Sequence, residues 1–381
     1  MKVHPLIYFV KLKFTYKCME GDSMNKEKYR KILIVIFSVY LCTFIYYLSY
    51  TIYTFASEEP KSISTITQEN DGKRLMPLGM PVGIYIRSKG IMVLDTSEIK
   101  GLNGEKIEPA KHILKSGDYI LCFNEQEISS IEDFKQQISE NREKKCTLTI
   151  WRSGKEKEIK VEPVKTQDEE YKLGIWVRQD AQGIGTVTFV DEEGNFMALG
   201  HGITDVDTGE IIEIQSGRLY ESNILTVIKG KSGEPGEIIG NINYKKNRIL
   251  GTIKGNEEIG IYGSFLESEK IYNSDEALQI AKKEEVKEGS AKIRCYVNGE
   301  IGDYDIEIEK VDKHRTEEDK NLVIRITDEA LLKETNGIVQ GMSGSPIVQN
   351  GKLVGAVTHV LVNDPKRGYG IFIENMLQEA K

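Results

Sequence analysis

Three dipeptides constrain this chain before anything else does. Ser153-Gly154, Asn298-Gly299 and Asn350-Gly351 each interrupt a run of apolar or alternating residues: "KCTLTIWRSGKEKEIKVEPV", "AKIRCYVNGEIGDYDIEIEKV" and "PIVQNGKLVGAV". Pairs of this type accept left-handed backbone at both positions, so they close two-residue hairpins between antiparallel strands. Further Gly-punctuated segments continue the pattern. "GIGTVTFVDEEGNFMALGHGI" reads as a strand pair closed at Glu193-Gly194-Asn195, and "EIIGNINY", "RILGTIKG" and "EIGIYGSF" follow it. Short strands at this spacing predict an all-β sandwich or barrel. Two segments read as helices. "SIEDFKQQISENR" has Ser129 or Ser130 near its start and Ile131, Phe134 and Ile138 along one side. "NSDEALQIAKKEEVKEG" (273–289) has Asn273 or Ser274 as cap and Gly289 as stop.

The 381 residues suffice for two or three domains. Charge is unevenly spread. Residues 1–31 carry eight Lys/Arg against three acidic residues, or +5, within a chain of net −8, which leaves −13 for the rest. An acidic body of that kind argues against nucleic acid as a partner. Residues 32–56, "ILIVIFSVYLCTFIYYLSYTIYTFA", hold no charge over 25 positions, enough to span a bilayer, and tyrosines crowd their second half. The expectation is a transmembrane signal anchor (32–56) behind a basic cytoplasmic leader (1–31), with residues 57–381 outside the cytoplasm. Met24, opening "MNKEKYRKILIV", is an alternative start, and Ala56 offers a cleavage point. Residues 57–71, "SEEPKSISTITQEND", read as a polar linker. Five cysteines make no disulfide framework, and Cys122, Cys146 and Cys295 read as buried free thiols in strands. No CxxC or HxxxH spacing occurs, so neither a metal nor a cofactor is expected.

The chemistry concentrates in "GIVQGMSGSPIVQNGKLVGAVTH", residues 337–359. Two readings fit it: a tight turn before a strand, or a nucleophile on a turn whose N–H groups face a reacting carbonyl. Gly341 and Gly344 permit backbone that a side chain would block, and the N–H groups of Gly341 and Ser343 would then converge. The second reading needs a base. Of five histidines, His4 precedes the anchor, His112 and His314 lie in other contexts, and His359 reads as a core histidine in an apolar strand. His201, flanked by glycines in "FMALGHGITDVDTG", has the access a catalytic imidazole requires.

Two resemblances follow from these residues. "LKSGDYILCFNEQEISSIEDFKQQI" followed by "TLTIWRSGKEKEIKVEP" resembles a PDZ domain, placed at residues 72–164. That likeness implies a loop capturing a peptide chain end at "MPLGMPVGI", with Leu78, Gly79, Met80, Val82, Gly83 and Ile84 lining it. "GMSGSPIVQNGKLVGAV" resembles the nucleophile loop of chymotrypsin-like peptidases, which makes Ser343 the nucleophile and Ser345 its neighbour. The anchor, the PDZ unit, "ALGHGITDVDTG" and "NGIVQGMSGSPIVQNGKLVGAVTHVLVNDPKRGYGIFIENM" together resemble the stage IV sporulation protein B peptidases, family S55, over residues 72–381.

The family resemblance implies a mainly β fold: a PDZ domain, then a chymotrypsin-like barrel peptidase (165–381), behind one transmembrane helix. It implies a serine endopeptidase of endospore-forming bacteria, exported into the space between forespore and mother-cell membranes. There it would trim its own N-terminus and cleave the extracytoplasmic part of a membrane complex, leading to late sigma-factor activation. The alternative is an exported PDZ scaffold with an inactive protease-like domain. The family places its acidic member, in His–Asp–Ser order, at Asp328 of "LVIRITDEALL", which also reads as a helix cap. Asp205 and Asp207 are nearest His201 in sequence, but "TDVDTG" reads as a turn, and no Asp occurs between Asp207 and Asp275.

Overall fold

A computed structural model describes residues 72–141 and 145–379, with Thr43. The leader, anchor and linker expected at 1–71 therefore lie outside the described residues, Thr43 apart. Among the described residues no helix is long and apolar enough to cross a membrane. From Gly72 onward the chain forms one unit.

Two closed barrels of six strands each dominate it. The strands of four residues or more, in the barrels and beside them, are β1 (Arg74–Thr96), β2 (Tyr119–Phe123), β3 (Cys146–Arg152), β4 (Lys155–Val161), β5 (Ile175–Val190), β6 (Asn195–Ala198), β7 (Ile214–Ile228) and β8 (Glu237–Ile242). They continue as β9 (Ile249–Glu257), β10 (Gly260–Phe265), β11 (Gly289–Val297), β12 (Glu300–Val311), β13 (Leu322–Ile326), β14 (Pro346–Gln349), β15 (Lys352–Leu361) and β16 (Asp364–Phe372). Helices α1 (Ile131–Glu140), α2 (Glu329–Thr335) and α3 (Ile373–Glu379) accompany them. In the first barrel β1 pairs with β5, β5 with β6, β6 with β10, β10 with β9, β9 with β7, and β7 closes on β1, all antiparallel. Its interior holds Val82, Ile84, Val187, Phe196, Leu219 and Ile261. The second runs β11-β12-β13-β16-β15-β14 and back to β11, around Ile293, Ile308, Ile324 and Val357. Closure leaves each six-strand ring without an edge, which is how a sheet-rich chain avoids pairing with other chains.

The expected hairpins form where the turn residues demand. Ser153-Gly154, Asn298-Gly299 and Asn350-Gly351 all have positive φ at both positions. Helix α1 starts at Ser130, whose side chain accepts the Asp133 N–H, and it buries Phe134 and Ile138. Cys146 and Cys295 are buried free thiols and Cys122 is half-buried.

Two expectations need correction. Residues 273–289 form no helix. Leu278 and Gln279 pair with the start of β1, and Ile280 bridges Leu353, so the apolar positions are used by the ends of both barrels. The boundary drawn between 164 and 165 also moves. Residues 76–88 of β1 are a strand of the first barrel, and only the far half of β1 belongs with β2, β3, β4 and α1. That sheet-and-helix unit, with Ile91, Ile120, Phe134 and Leu148 in its own core, is thus inserted into the barrel. The chain leaves through β1 and returns through β5, whose Ile175–Arg178 pair with Met92–Thr96.

Candidate active site

The stretch expected to capture a peptide end cannot do so. Val82, Gly83 and Ile84 pair with Gly185, Ile184 and Gly183 of β5 on one side and with Glu221, Tyr220 and Leu219 of β7 on the other. Met80 pairs with Val187, and Leu78 is buried. Gly79 packs against the Arg294 backbone. With both edges of the strand occupied, no peptide can add there.

The Ser343 and His201 loops meet between the barrels. Strand β6 ends in two successive left-handed residues, Leu199 (φ 72) and Gly200 (φ 71), which turn the chain and present His201. A leucine in that region is costly, and such strain persists where the surroundings enforce it. The enforcement is visible: the Leu199 N–H donates to Thr186 O, and Gly344 has its Cα face on Leu199. A Cβ at Gly344, whose φ is 96, would collide with Thr186 O and stand 2.5 Å from Leu199 N. Thr186 also donates its hydroxyl to Gly341 O at 2.7 Å and its N–H to Ser343 O at 3.3 Å, so β5 carries the serine loop directly. Among the described residues neither the Gly341 N–H nor the Ser343 N–H has an acceptor, while Met342, Gly344 and Ser345 all donate to neighbouring carbonyls. Two free N–H groups flanking a serine are the donors a developing oxyanion needs.

His201 Nδ1 lies 2.9 Å from Gly202 O. A carbonyl can only accept, so Nδ1 carries the proton and Nε2 is left as the basic atom. Burial pushes the His201 imidazolium below the ordinary histidine range, opposed by the Gly202 carbonyl and by Asp319. The ring is therefore a neutral base at pH 7. Ser343 Oγ donates to Thr358 O at 2.5 Å in this resting arrangement. The next residue, His359, stacks on His201 with centroids 4.6 Å apart and planes tilted by 36°. His359 is thus no core histidine; it is half-buried at the site, with Nδ1 3.4 Å from Asp319 Oδ2. Asp319 and His359 were not legible as site residues. The one available signal was the position of His359 on the strand that returns from the Ser343 hairpin.

Asp328 stands elsewhere. It is the N-cap of α2: Oδ1 accepts the Leu331 N–H at 2.9 Å, and Oδ2 the Asp305 N–H at 3.4 Å. Asp319 precedes β13 and Asp328 follows it, and five residues at about 3.3 Å each separate the two ends by roughly 17 Å. With Asp319 at the histidines, Asp328 is at the far end of the strand. The structure thus places Asp328 in the helix-cap role, and among the described residues no hydrogen bond joins it to His201. Asp205 and Asp207 are also committed: both bind Arg178, and Asp205 Oδ1 accepts the Asp207 and Thr208 N–H groups.

A cleft of about 720 Å³ opens beside Gly341, walled by residues 182–184 of β5, by β8, and by Tyr244 and Gln340. Ile238 N–H donates to Gln340 O and Gln340 N–H to Gly236 O, so the even-numbered residues of β8 turn their backbone away from β7. Gly240 and Ile242 continue that edge along the cleft. Among the described residues no group of His, Cys, Asp and Glu is arranged to hold a metal ion.

A family model described as SpoIVB peptidase S55 matches residues 169–377, more than half of the chain. Among curated proteins, the probable protease eep of Enterococcus faecalis (strain ATCC 700802 / V583) is 34% identical over 87 residues, 22% of this chain and 20% of that one. The chain thus spans about a fifth of the length of that relative. Among solved structures, the inactive form of Rv3671c from M. tuberculosis H37Rv aligns with 51% of this chain and 78% of its own, at 12% identity and TM-score 0.25. The HtrA-type protease AlgW with decapeptide aligns over 52% of each chain, at 12% identity and TM-score 0.29.

Proposed function

The chain belongs to the SpoIVB peptidase S55 family, and on that premise we propose that it is a serine endopeptidase whose nucleophile is Ser343 and whose base is His201. Ser343 Oγ rotates from Thr358 O toward His201 Nε2, loses its proton to it, and attacks the scissile carbonyl. The Gly341 and Ser343 N–H groups receive the oxyanion. His201 then returns the proton to the leaving amine, and water repeats the sequence on the acyl-enzyme. An extended substrate lies in the cleft beside Gly341, its backbone against Gly240 and Ile242 of β8.

The observation that carries this reading is the meeting of the two loops: Ser343, with two free N–H groups beside it, is held by Thr186 against the strand end that presents His201. A fluorophosphonate probe tests it. The full-length chain should be labelled, and Ser343→Ala should abolish the label. An unlabelled wild-type chain would favour the scaffold with an inactive protease-like domain.

Family resemblance supports the wider role: export, removal of its own N-terminus, and cleavage of the extracytoplasmic part of a membrane complex during sporulation. The uncharged segment 32–56 behind a +5 leader supports the topology. A C-terminal reporter active only in the cytoplasm should stay silent, and activity there would sink the localisation. The inserted unit with α1 is the part that resembles a PDZ domain, and a peptide-binding role for it is proposed on that resemblance.

A further inference from the structure

We propose that the inserted unit captures the free carboxyl end of an extended peptide between the start of β5 and helix α1, with the N–H groups of Leu173 and Gly174 receiving the carboxylate. This rests on the peptide-binding reading of that unit and gives it a new place, since the stretch around Gly83 is closed within the first barrel. Strand β5 begins as an edge. Residues 175–178 pair with Met92–Thr96 of β1 on one side, and β6 reaches β5 only at Val187–Val190. Among the described residues no strand takes the other side of 175–178. The ladder fixes which groups face that open side. Val93 gives its N–H to Asp118 O and takes the Gly117 N–H on its own carbonyl, so it turns away from its partner Val177. The Ser97 N–H donates to Gly174 O across the Thr96 and Ile175 pair, the pattern of two residues that exchange no bonds. Ile175 and Val177 therefore both direct N–H and C=O outward, as an added antiparallel strand requires.

Helix α1 walls this edge. Gln179, at the far end of the segment, donates from Nε2 to Ser129 O at 3.1 Å and accepts the Ile131 N–H on Oε1 at 3.3 Å. At the near end Glu170, held below the ordinary carboxylate range chiefly by Lys172, is also lowered by Lys135 of the helix. Segment and helix thus run in opposite directions. Ile131 of the helix and Ile175 and Val177 of the strand are half-buried against one core, with Phe134 and Ile138, and give the groove an apolar floor. Arg178 binds Asp205 and Asp207, so the strand is fixed before any peptide arrives. Just before the strand, Gly174 is left-handed (φ 64) and lies against Ser97 O, where a Cβ would stand at 2.5 Å. Leu173 and Gly174 are both buried, yet among the described residues neither N–H has an acceptor. Buried N–H groups are nearly always paired, so two adjacent orphans call for an acceptor from outside, and a carboxylate suits two donors best. Direction agrees. A peptide antiparallel to β5 ends, at its carboxyl terminus, where β5 begins. The occupant is therefore a protein C-terminus with an apolar last side chain.

The test uses the full-length Ser343→Ala chain, which cannot consume the probe. Fluorescein-labelled peptides with apolar C-terminal residues, each made as free acid and as amide, are titrated and read by anisotropy. The free acids should bind, and amidation should weaken them about tenfold or more, the scale of a lost charge-assisted hydrogen bond. Val177→Pro deletes an outward N–H and no bond to β1, a change an edge strand tolerates. It should weaken free-acid binding by a similar factor with the melting temperature retained. Equal affinity of acid and amide overturns the proposal. Binding unchanged in Val177→Pro also overturns it, while leaving the broader peptide-binding role of the unit in place. No binding by any peptide of the panel overturns both. Should Val177→Pro fail to fold, Ile131→Glu takes its place, an acidic residue being favoured in the first turn of a helix: weakened binding supports the groove and unchanged binding overturns it.

Discussion

At the scale of single residues, Asp328 answers to two patterns at once. An Asp before "EALLKET" satisfies both a family pattern and the first turn of a helix, and in this chain the helix takes it. Asp328→Ala should therefore cost about 1 kcal/mol of stability through the lost cap while fluorophosphonate labelling continues at close to the wild-type rate. A loss of labelling by orders of magnitude at unchanged melting temperature would return Asp328 to the site. His359 gives a second prediction, from its folded value of about 4 against an ordinary 6.5. A histidine depressed in the folded state is protonated first in the unfolded chain. The stability it permits is complete above about pH 6.5 and falls as pH drops toward 4. His359→Gln should flatten the decline of melting temperature across that window, read by thermal melts at a series of pH values. A decline as steep as wild type would mean that the imidazole is not held neutral.

At the scale of elements, Gly83 separates the two accounts of β1. Read as a loop, it would accept a bulky residue with loss of peptide binding alone. As a barrel strand it has no room: a Cβ there would stand 2.5 Å from Ile242 Cγ2, on the wall of the cleft. Gly83→Leu should lower the melting temperature and the labelling rate together, and loss of substrate cleavage with labelling intact would restore the loop. Hairpins were legible because an Asn-Gly pair determines its own backbone. The capped helix at Ser130 was legible for the same local reason. The insertion was not, because nothing in "GIYIRSKGIMVLD" announces that one strand serves a barrel in its first half and another sheet in its second. The break is a register shift between Arg87 and Met92, and it is set by partners about 90 residues later in β5. Residues 273–289 failed similarly: their helical periodicity is real, but Leu278 and Ile280 find better burial between β1 and Leu353 than a solitary helix provides. Within the site, Ser343 and His201 stood out through glycines that a tight approach requires. Asp319 could not, since an acidic residue in "RTEEDKN" looks like any solvated charge until β13 carries it beside His359.

At the scale of the whole molecule, the fold bears on where the chain can be cut. The first barrel strand begins at Arg74, and its first two residues pair with Gln279 and Leu278. A cut anywhere in 57–71 would leave both barrels, the inserted unit and the Ser343 site complete. A cut a few residues later would remove part of a strand that closes the first barrel and contributes Val82 and Ile84 to its core. Self-processing that yields an active enzyme is thus compatible with the polar linker and incompatible with β1. The wild-type chain should accumulate as a shorter species whose new N-terminus, read by Edman sequencing or mass spectrometry, falls between residues 57 and 71. Ser343→Ala should remain long. Because the nucleophile is lost without disturbing either barrel, adding a trace of wild-type enzyme to Ser343→Ala should restore trimming if the cut passes between molecules. Persistence of the long form would place it within one. Trimming of Ser343→Ala alone at the wild-type position would assign the cut to another peptidase, and with it remove self-cleavage from the proposed function.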